Sequence, residues 1–190
     1  MVSPSLLHFY FRSLHLMKSA STASIFSCGY QLRTLPSFIE HLKQANVKVV
    51  LDVRETPWSY RPGFSAKPLR EGLAAEGIGY EHARYAGNPK TIRKQADSHQ
   101  HCLELYADHL EQYPDIVTQF DQWIQPHLAQ QTNVCLLCYE RHPADCHRAY
   151  LLYRWQTITG HDVSIIHLDP EGAPRFTSQD LTAVQALVCA

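Results

Sequence analysis

Reactive side chains are concentrated in one short segment of this sequence, residues 134–148. The apolar run from Val134 to Cys138 predicts a buried strand, and a loop with Pro143 and the start of a helix follow it. Open α/β sheets place their sites where strands end and helices begin. Two thiols, a carboxylate, an imidazole and a guanidinium reach this place: Cys138, Cys146, Glu140, His147 and Arg148.

The first chemistry that these residues suggest is that of an activated thiol. Cys146 is expected at the start of a helix beside His147 and Arg148, where the helix dipole and positive charge favour a thiolate. A thiolate is a nucleophile, so Cys146 is the candidate catalytic residue. Glu140 and Glu55 each follow a predicted strand and are the candidate acid–base residues, although either could be only the counter-ion of an arginine.

The same helix start predicts a binding place for an anion, because its backbone N–H groups are free. Guanidinium groups suit phosphate or carboxylate ligands. The ends of parallel strands lie on one edge of a sheet, so distant residues should converge on one cleft. We expect a small anionic ligand there, nucleotide-like or phosphorylated. The candidate ligand-binding residues are Tyr30, Asp52, Arg54, Arg61, His147 and Arg148.

A bound metal ion is the alternative to thiol catalysis. Cys138, Cys146 and His147 are suitable ligands for zinc or iron. Their spacing matches no standard metal cage, and a fourth ligand would have to come from elsewhere, with His82 or His167 as candidates. The leading hypothesis therefore assigns no metal, and the sequence indicates no particular cofactor.

A third hypothesis is a non-catalytic module that binds nucleic acid or nucleotides. Trp58, Tyr60 and Phe64 lie in a loop with prolines and arginines, residues 54–65. We expect these aromatic side chains to pin the loop onto the protein, whereas exposed rings could stack on a base. The net charge of −1 does not favour a broad electrostatic surface for nucleic acid.

Composition and length predict a cytoplasmic protein with one domain. The six cysteines are irregularly spaced along 190 residues, which favours free thiols in a reducing compartment. The apolar stretch near the N-terminus is too short to span a bilayer, so no membrane association is expected. We assign residues 1–23 to an extension outside the fold and residues 24–190 to the domain.

Predicted strands and helices alternate along the domain, which indicates crossover connections and a mostly parallel sheet. The patterns predict about five strands in a single three-layer α/β/α domain. The predicted strands cover residues 24–28, 47–53, 78–82, 133–138 and 163–167. The predicted helices cover residues 36–44, 67–76, 98–113, 115–129, 145–160 and, near the C-terminus, 181–187. Asp145 is the candidate N-cap of the helix at 145–160.

These residues also carry a resemblance to a known family. The runs Leu51 to Ser59, Gly87 to Lys90, Leu137 to Glu140 and Cys146 to Arg148 resemble, in the expected order, motifs of the DUF488 family. The similarity covers about residues 24 to 168, and its most specific element is a Cys-x-Glu followed by Cys-His-Arg. It implies an α/β fold and a cytoplasmic setting, and it implies no particular reaction.

Overall fold

The fold is built on one parallel sheet of five strands. The computed structural model describes residues 23–168, so the predicted extension, apart from Ala23, and the predicted helix at 181–187 lie outside the described residues. The strands are β1 (Ile25–Gly29), β2 (Val49–Asp52), β3 (Gly79–His82), β4 (Val134–Cys138) and β5 (Ile165–Leu168). The helices are α1 (Leu35–Gln44), α2 (Ala66–Ala75), α3 (Lys90–Gln95), α4 (His99–Gln112), α5 (Asp115–Ala129) and α6 (His147–Thr159). The predicted α/β fold with a parallel sheet is confirmed.

The strand order β3-β2-β4-β1-β5 puts β4 at the centre of the sheet. Strand β4 pairs in parallel with β1 on one side and with β2 on the other. The carboxyl ends of β1, β2 and β4 therefore lie side by side at one edge. Sites in open α/β sheets form at such an edge, between neighbouring strands.

Alternating side chains divide the core into two clusters on opposite faces of the sheet. Along β4, Val134, Leu136 and Cys138 join the cluster formed with helices α4, α5 and α6. Cys135 and Leu137 join the cluster formed with α1 and α2. Since successive side chains of a strand point to opposite faces, this period of two fixes the face on which Cys138 lies.

The start of α6 differs from the prediction made from the sequence. Asp145 was expected to cap the helix, but Pro143–Asp145 forms a 3₁₀ turn and Cys146 takes the N-cap position. The Cys146 side chain makes no capping hydrogen bond, and its extended backbone turns the chain into the helix. The thiol is therefore left to interact with groups at the end of β4 instead of with backbone N–H groups.

Two further features complete the fold. The short helix α3 was not predicted from the sequence, because six residues with one buried apolar side chain, Ile92, give no periodic pattern. Among residues 23–168, no helix has the length and apolar character needed to cross a membrane.

Candidate metal centre at the end of strand β4

Four side chains with metal-binding atoms meet beyond the end of β4. They come from Cys138, Glu140, Cys146 and His147, and one donor atom from each lies within 4.8 Å of all the others. The two thiols, the imidazole and the carboxylate thus form a cluster, which we call the β4 centre. Cys138, Cys146 and His147 are buried, and Glu140 is partly exposed.

The fold accounts for the meeting of the two cysteines. Cys138 is the last residue of β4 and faces the α6 side of the sheet, because it continues the series of Val134 and Leu136. Cys146 belongs to the same core cluster from the start of α6. Each Sγ atom is close to the same carboxylate oxygen, Oε2 of Glu140, at 3.2 Å from Cys138 and 3.0 Å from Cys146.

The imidazole of His147 is oriented by a backbone carbonyl. Its Nε2 lies 2.9 Å from the carbonyl oxygen of Val53, which follows strand β2. A carbonyl only accepts, so Nε2 carries the proton and donates it to Val53. In the neutral imidazole Nδ1 then carries a lone pair, and it lies 3.6 Å from the Sγ of Cys138. The edge-on ring of Tyr106 at 5.1 Å holds the imidazole from another side.

The loop that carries Glu140 is fixed by Arg148 and Gly29. The Arg148 guanidinium donates from Nη1 to the Glu140 carbonyl at 2.7 Å, from Nη2 to the Arg141 carbonyl at 3.2 Å, and from Nε to the Ser27 hydroxyl at 2.7 Å. Gly29 passes so close that a Cβ atom there would lie 1.8 Å from the Glu140 carbonyl oxygen. The carboxylate is thus positioned by its backbone and by a close approach that only glycine permits.

In the absence of a metal, the ionisable groups of the centre perturb one another. Burial, together with Cys146, raises the pKa of Glu140 to about 7. Burial and the neighbouring Cys146 raise the pKa of Cys138 well above the ordinary thiol value. Burial also opposes ionisation of Cys146, but the hydrogen bond from Cys138 and the charges of Arg148 and His147 lower its pKa well below that value. The pKa values of the two adjacent thiols are therefore shifted in opposite directions.

Arg148 lies beside the centre, fully engaged with the protein. Its side chain is 1% exposed, and its donors meet the hydroxyl and the two carbonyls already described. The sequence predicted that Arg148 would hold an anionic ligand. In the structure its contacts fix the Glu140 loop, and its charge acts on Cys146 through the core.

Arg54 and Asp52 form a second buried cluster at the end of β2. The carboxylate of Asp52 accepts from the backbone N–H, Nε and Nη2 of Arg54, and its Oδ2 also accepts from the Tyr80 hydroxyl at 2.8 Å. Nη1 of Arg54 donates to the Tyr30 hydroxyl at 3.0 Å and to the Phe64 carbonyl at 2.9 Å. Asp52, Arg54 and Tyr30, all predicted to bind a ligand, therefore satisfy one another.

A cleft of about 630 Å³ opens beside the centre. Cys138, Glu140 and His147 contribute to its wall, whereas Cys146 lies behind them with no exposed surface. Four other predicted site residues also line the cleft: Tyr30, Arg54, Glu55 and Arg61. The structure thus brings most of the predicted residues to one place, with the thiol predicted to be the nucleophile in the least accessible position.

Glu55 lies in the same cleft but has hydrogen-bond partners of its own. Its carboxylate accepts from Nη2 of Arg93 and from the backbone N–H of Lys90. Burial opposes its ionisation, but these hydrogen bonds lower the pKa of Glu55 below the usual value for a carboxyl. A carboxylate held ionised by an arginine suits a counter-ion, the alternative to acid–base catalysis.

Neither histidine that the sequence offered as a fourth metal ligand lies in the β4 centre. Nε2 of His82 donates to the Arg54 carbonyl, and His167 contacts the Tyr153 hydroxyl. Glu140 takes that position. The Cys-x-Glu spacing could have indicated this. A bend directly after strand β4 can bring the Glu140 side chain back toward Cys138.

The aromatic loop was predicted only in part. Phe64 is fully buried and stacks on Tyr30 with ring centroids 4.4 Å apart, so it pins the loop as expected. Trp58 and Tyr60 instead remain 55% and 90% exposed and line the cleft. The expectation that they pin the loop was wrong. No local pattern distinguishes them from Phe64, because the difference depends on contacts with Tyr30.

The fold and the site define an α/β protein with a central parallel sheet and a cluster of cysteine, histidine and glutamate at the end of its middle strand. Residues 34–154 match the family described as "Domain of unknown function DUF488", and the chain belongs to that family. A search of curated proteins and a search of solved structures each returned no match.

Proposed function

We propose that this protein binds a divalent transition metal ion, with zinc the best match, at the β4 centre. The observation that carries the proposal is the convergence of four donor atoms of the right types within 4.8 Å. A tetrahedral zinc ion has Zn–S bonds of about 2.3 Å and Zn–N bonds of about 2.0 Å, so its ligands lie roughly 3 to 4 Å from one another. Three of the six donor pairs are already 3.0 to 3.6 Å apart, and the other pairs lie within 4.8 Å, so binding an ion would draw the donors together only slightly.

The donor chemistry supports the same assignment. Cys138 and Cys146 would bind as thiolates, His147 through Nδ1, and Glu140 through a carboxylate oxygen. Thiolate and imidazole ligands select zinc and related ions over magnesium or calcium. The hydrogen bond from His147 to the Val53 carbonyl is typical of metal-bound imidazoles, because it fixes the tautomer and aims the other nitrogen at the ion.

Charge balance is a further argument. Two thiolates and a carboxylate crowded together repel one another, and without a cation the crowding must be relieved by protonation. A dication bound among them would remove that constraint. Arg148 supplies only one positive charge, directed at backbone carbonyls and a hydroxyl. A cytoplasmic location is part of the proposal, because the thiols must stay reduced to bind metal.

Elemental analysis of protein purified without chelators tests the proposal. We expect about one equivalent of zinc per chain. Reconstitution of the chelated protein with Co²⁺ should produce the thiolate-to-metal charge-transfer absorption of a cysteine-bound cobalt ion. A metal content far below one equivalent that reconstitution does not raise, with no such absorption, would contradict it.

Catalysis by the Cys146 thiolate is the second candidate, favoured by the lowered pKa of that thiol. It ranks second because Cys146 is fully buried and lies behind the wall of the cleft. Labelling of the chelated protein with iodoacetamide across a range of pH separates the two candidates. Rapid labelling of Cys146 below the pH at which ordinary thiols react, unaffected by added zinc, would favour the thiol enzyme.

A further inference from the structure

The cleft beside the β4 centre has features that metal binding does not require. Two exposed aromatic rings, Trp58 and Tyr60, stand at its mouth with centroids 4.2 Å apart in an edge-on arrangement. Tyr139, 41% exposed, lines the same space and has its ring edge-on to that of Tyr30, at 5.3 Å. Exposed aromatic rings grouped around a cavity indicate a ligand with an apolar, planar part.

A buried amide in the cleft wall lacks one of its partners. Asn88 is 8% exposed and its Nδ2 contacts the Sγ of Cys102 at 3.3 Å. Its Oδ1 is shielded from solvent and has no hydrogen-bond partner among residues 23–168. A buried acceptor without a partner is costly, and a ligand with an N–H or O–H group would satisfy it. Asn88 lines the cleft, so the ligand would approach it there.

Positive charge is also available at the cleft. Arg61 donates from Nη2 to the Arg33 carbonyl at 2.9 Å, but its Nε has no partner among the described residues. Lys90 is exposed at the start of α3, on the wall that also holds Asn88. By contrast, Arg54 is neutralised by Asp52 and Arg93 by Glu55. Arg61 and Lys90 are thus the cleft cations that can still receive an anion.

From these three features we infer that the cleft binds a nucleotide-like ligand: a planar heteroaromatic ring that carries an N–H donor and an anionic phosphate. The ring stacks on Trp58 and Tyr60, the N–H donor meets Asn88, and the phosphate meets Arg61 and Lys90. Of the arginines that the sequence offered for an anion, the inference therefore keeps Arg61 and replaces Arg54 and Arg148 by Lys90. The inference rests on the proposed metal centre only in that the ligand would lie beside the ion. None of the contacts named here involves the ion.

A free nucleotide and a single-stranded nucleic acid present the same chemistry to this cleft. The near-neutral net charge favours a small ligand over a long strand, because a long strand requires a continuous basic surface. Charge and aromatic surface are here gathered in one cavity of about 630 Å³, a size that suits a small molecule.

The test is calorimetric titration of the full chain, both zinc-loaded and chelated, with a panel of probes. The probes are the four ribonucleoside 5′-monophosphates, the matching nucleosides, inorganic phosphate and a ten-residue oligothymidine. We expect at least one monophosphate to bind about tenfold more tightly than its nucleoside, and phosphate alone to bind too weakly to measure. Tighter binding of the oligothymidine, with the same dependence on Trp58 and Lys90, would support the shared chemistry and identify a strand as the source.

Matched variants keep the test specific. Trp58→Ala and Lys90→Ala should each weaken monophosphate binding about tenfold. Tyr113→Ala removes an equally exposed aromatic ring elsewhere, and Lys94→Ala removes a second exposed lysine from α3; each should change the affinity less than twofold. Absence of monophosphate and oligonucleotide binding, or equal effects of Lys90→Ala and Lys94→Ala, would overturn the inference.

The two proposals fail separately. A protein that holds zinc but binds no probe removes the nucleotide-like ligand and leaves the metal centre. A protein that binds a monophosphate equally well with and without chelation, and holds no metal on elemental analysis, removes the metal centre and supports the ligand.

Discussion

The ends of strands β2 and β4 lie next to each other in the sheet, and both carry buried polar side chains, yet they are built on opposite principles. At the end of β2, Asp52 and Arg54 exchange a full set of hydrogen bonds, with tyrosine hydroxyls completing the cluster. At the end of β4, two thiols, an imidazole and a carboxylate, all possible metal ligands, lie within 4.8 Å of one another. The first cluster is satisfied by groups of the protein, and for the second we propose a bound cation.

The two clusters thus suggest different roles at one edge of the sheet: a structural role at the end of β2 and a binding role at the end of β4. A buried ion pair with all partners present fixes the loop that follows a strand, and its two charges neutralise each other. A cluster of soft donors with an oriented imidazole retains unused coordinating capacity. Polar residues at strand ends are therefore informative only together with their partners, and the following predictions test that distinction.

The largest expected effect is the loss of metal from the β4 centre. Cys146→Ser should reduce the zinc content from about one equivalent to less than about one tenth, because a hydroxyl is a poor ligand for zinc. Cys135→Ala is the matched control, since Cys135 lies on the other face of β4, and it should retain the metal. Elemental analysis of both proteins checks this, and equal zinc contents would remove Cys146 from the centre.

The next effect concerns stability at the end of β2. Asp52→Ala should lower the free energy of unfolding by about 3 to 5 kcal/mol, because it leaves the Arg54 guanidinium buried without its counter-ion. Urea denaturation followed by circular dichroism measures the change. Asp97→Asn, which alters the exposed pair with His101, should leave the midpoint unchanged. A loss below about 1 kcal/mol for Asp52→Ala would show that the cluster is not structural.

The close approach of Gly29 to the Glu140 backbone tests whether the loop position matters for the β4 centre. Gly29→Ala should weaken zinc binding by about ten- to a hundredfold, because the new Cβ must displace the loop that carries Glu140. A competition titration against a chromophoric chelator measures the affinity. Gly79 lies on the edge strand β3. Gly79→Ala places a methyl group in ordinary contact with Val49 and should leave the zinc affinity unchanged. Equal affinities for both variants would mean that the loop position does not matter.

The smallest effect tests a single hydrogen bond of the β2 cluster. Tyr80→Phe removes the donor to Asp52 and should cost about 1 kcal/mol of stability without changing the zinc content. Tyr113→Phe, at an exposed ring, serves as the control in the same denaturation experiment. Loss of zinc from Tyr80→Phe would indicate that the two strand ends are not independent.

The fold could be predicted from the sequence more fully than the site. Continuous apolar runs such as Val134 to Leu137 are typical of strands covered on both faces, and the alternation with helices implied parallel pairing. The convergence of Cys138, Cys146 and His147 followed from the same topology. What could not be predicted was the state of each polar group, since whether Arg54 meets a ligand or Asp52 depends on distances that no local pattern encodes.

Two particular residues show the limit. Glu140 was not predicted to join the two cysteines and His147, and His82 or His167 was the candidate fourth ligand, because the bend that brings the carboxylate back over Cys138 depends on Gly29 and Arg148. Asp145 was expected to cap α6, because aspartate favours that position. The 3₁₀ turn shifts the helix start by one residue and gives the position to Cys146.

X-ray absorption at the zinc edge tests the central claim most directly. We expect two sulfur ligands at about 2.3 Å and two nitrogen or oxygen ligands at about 2.0 Å, for one ion bound by both cysteines, His147 and Glu140. Cys146→Ser should lower the sulfur count, whereas Cys135→Ala should not. A bound zinc ion with no sulfur ligands, or with a sulfur count that Cys146→Ser does not change, would contradict the assignment of the β4 centre.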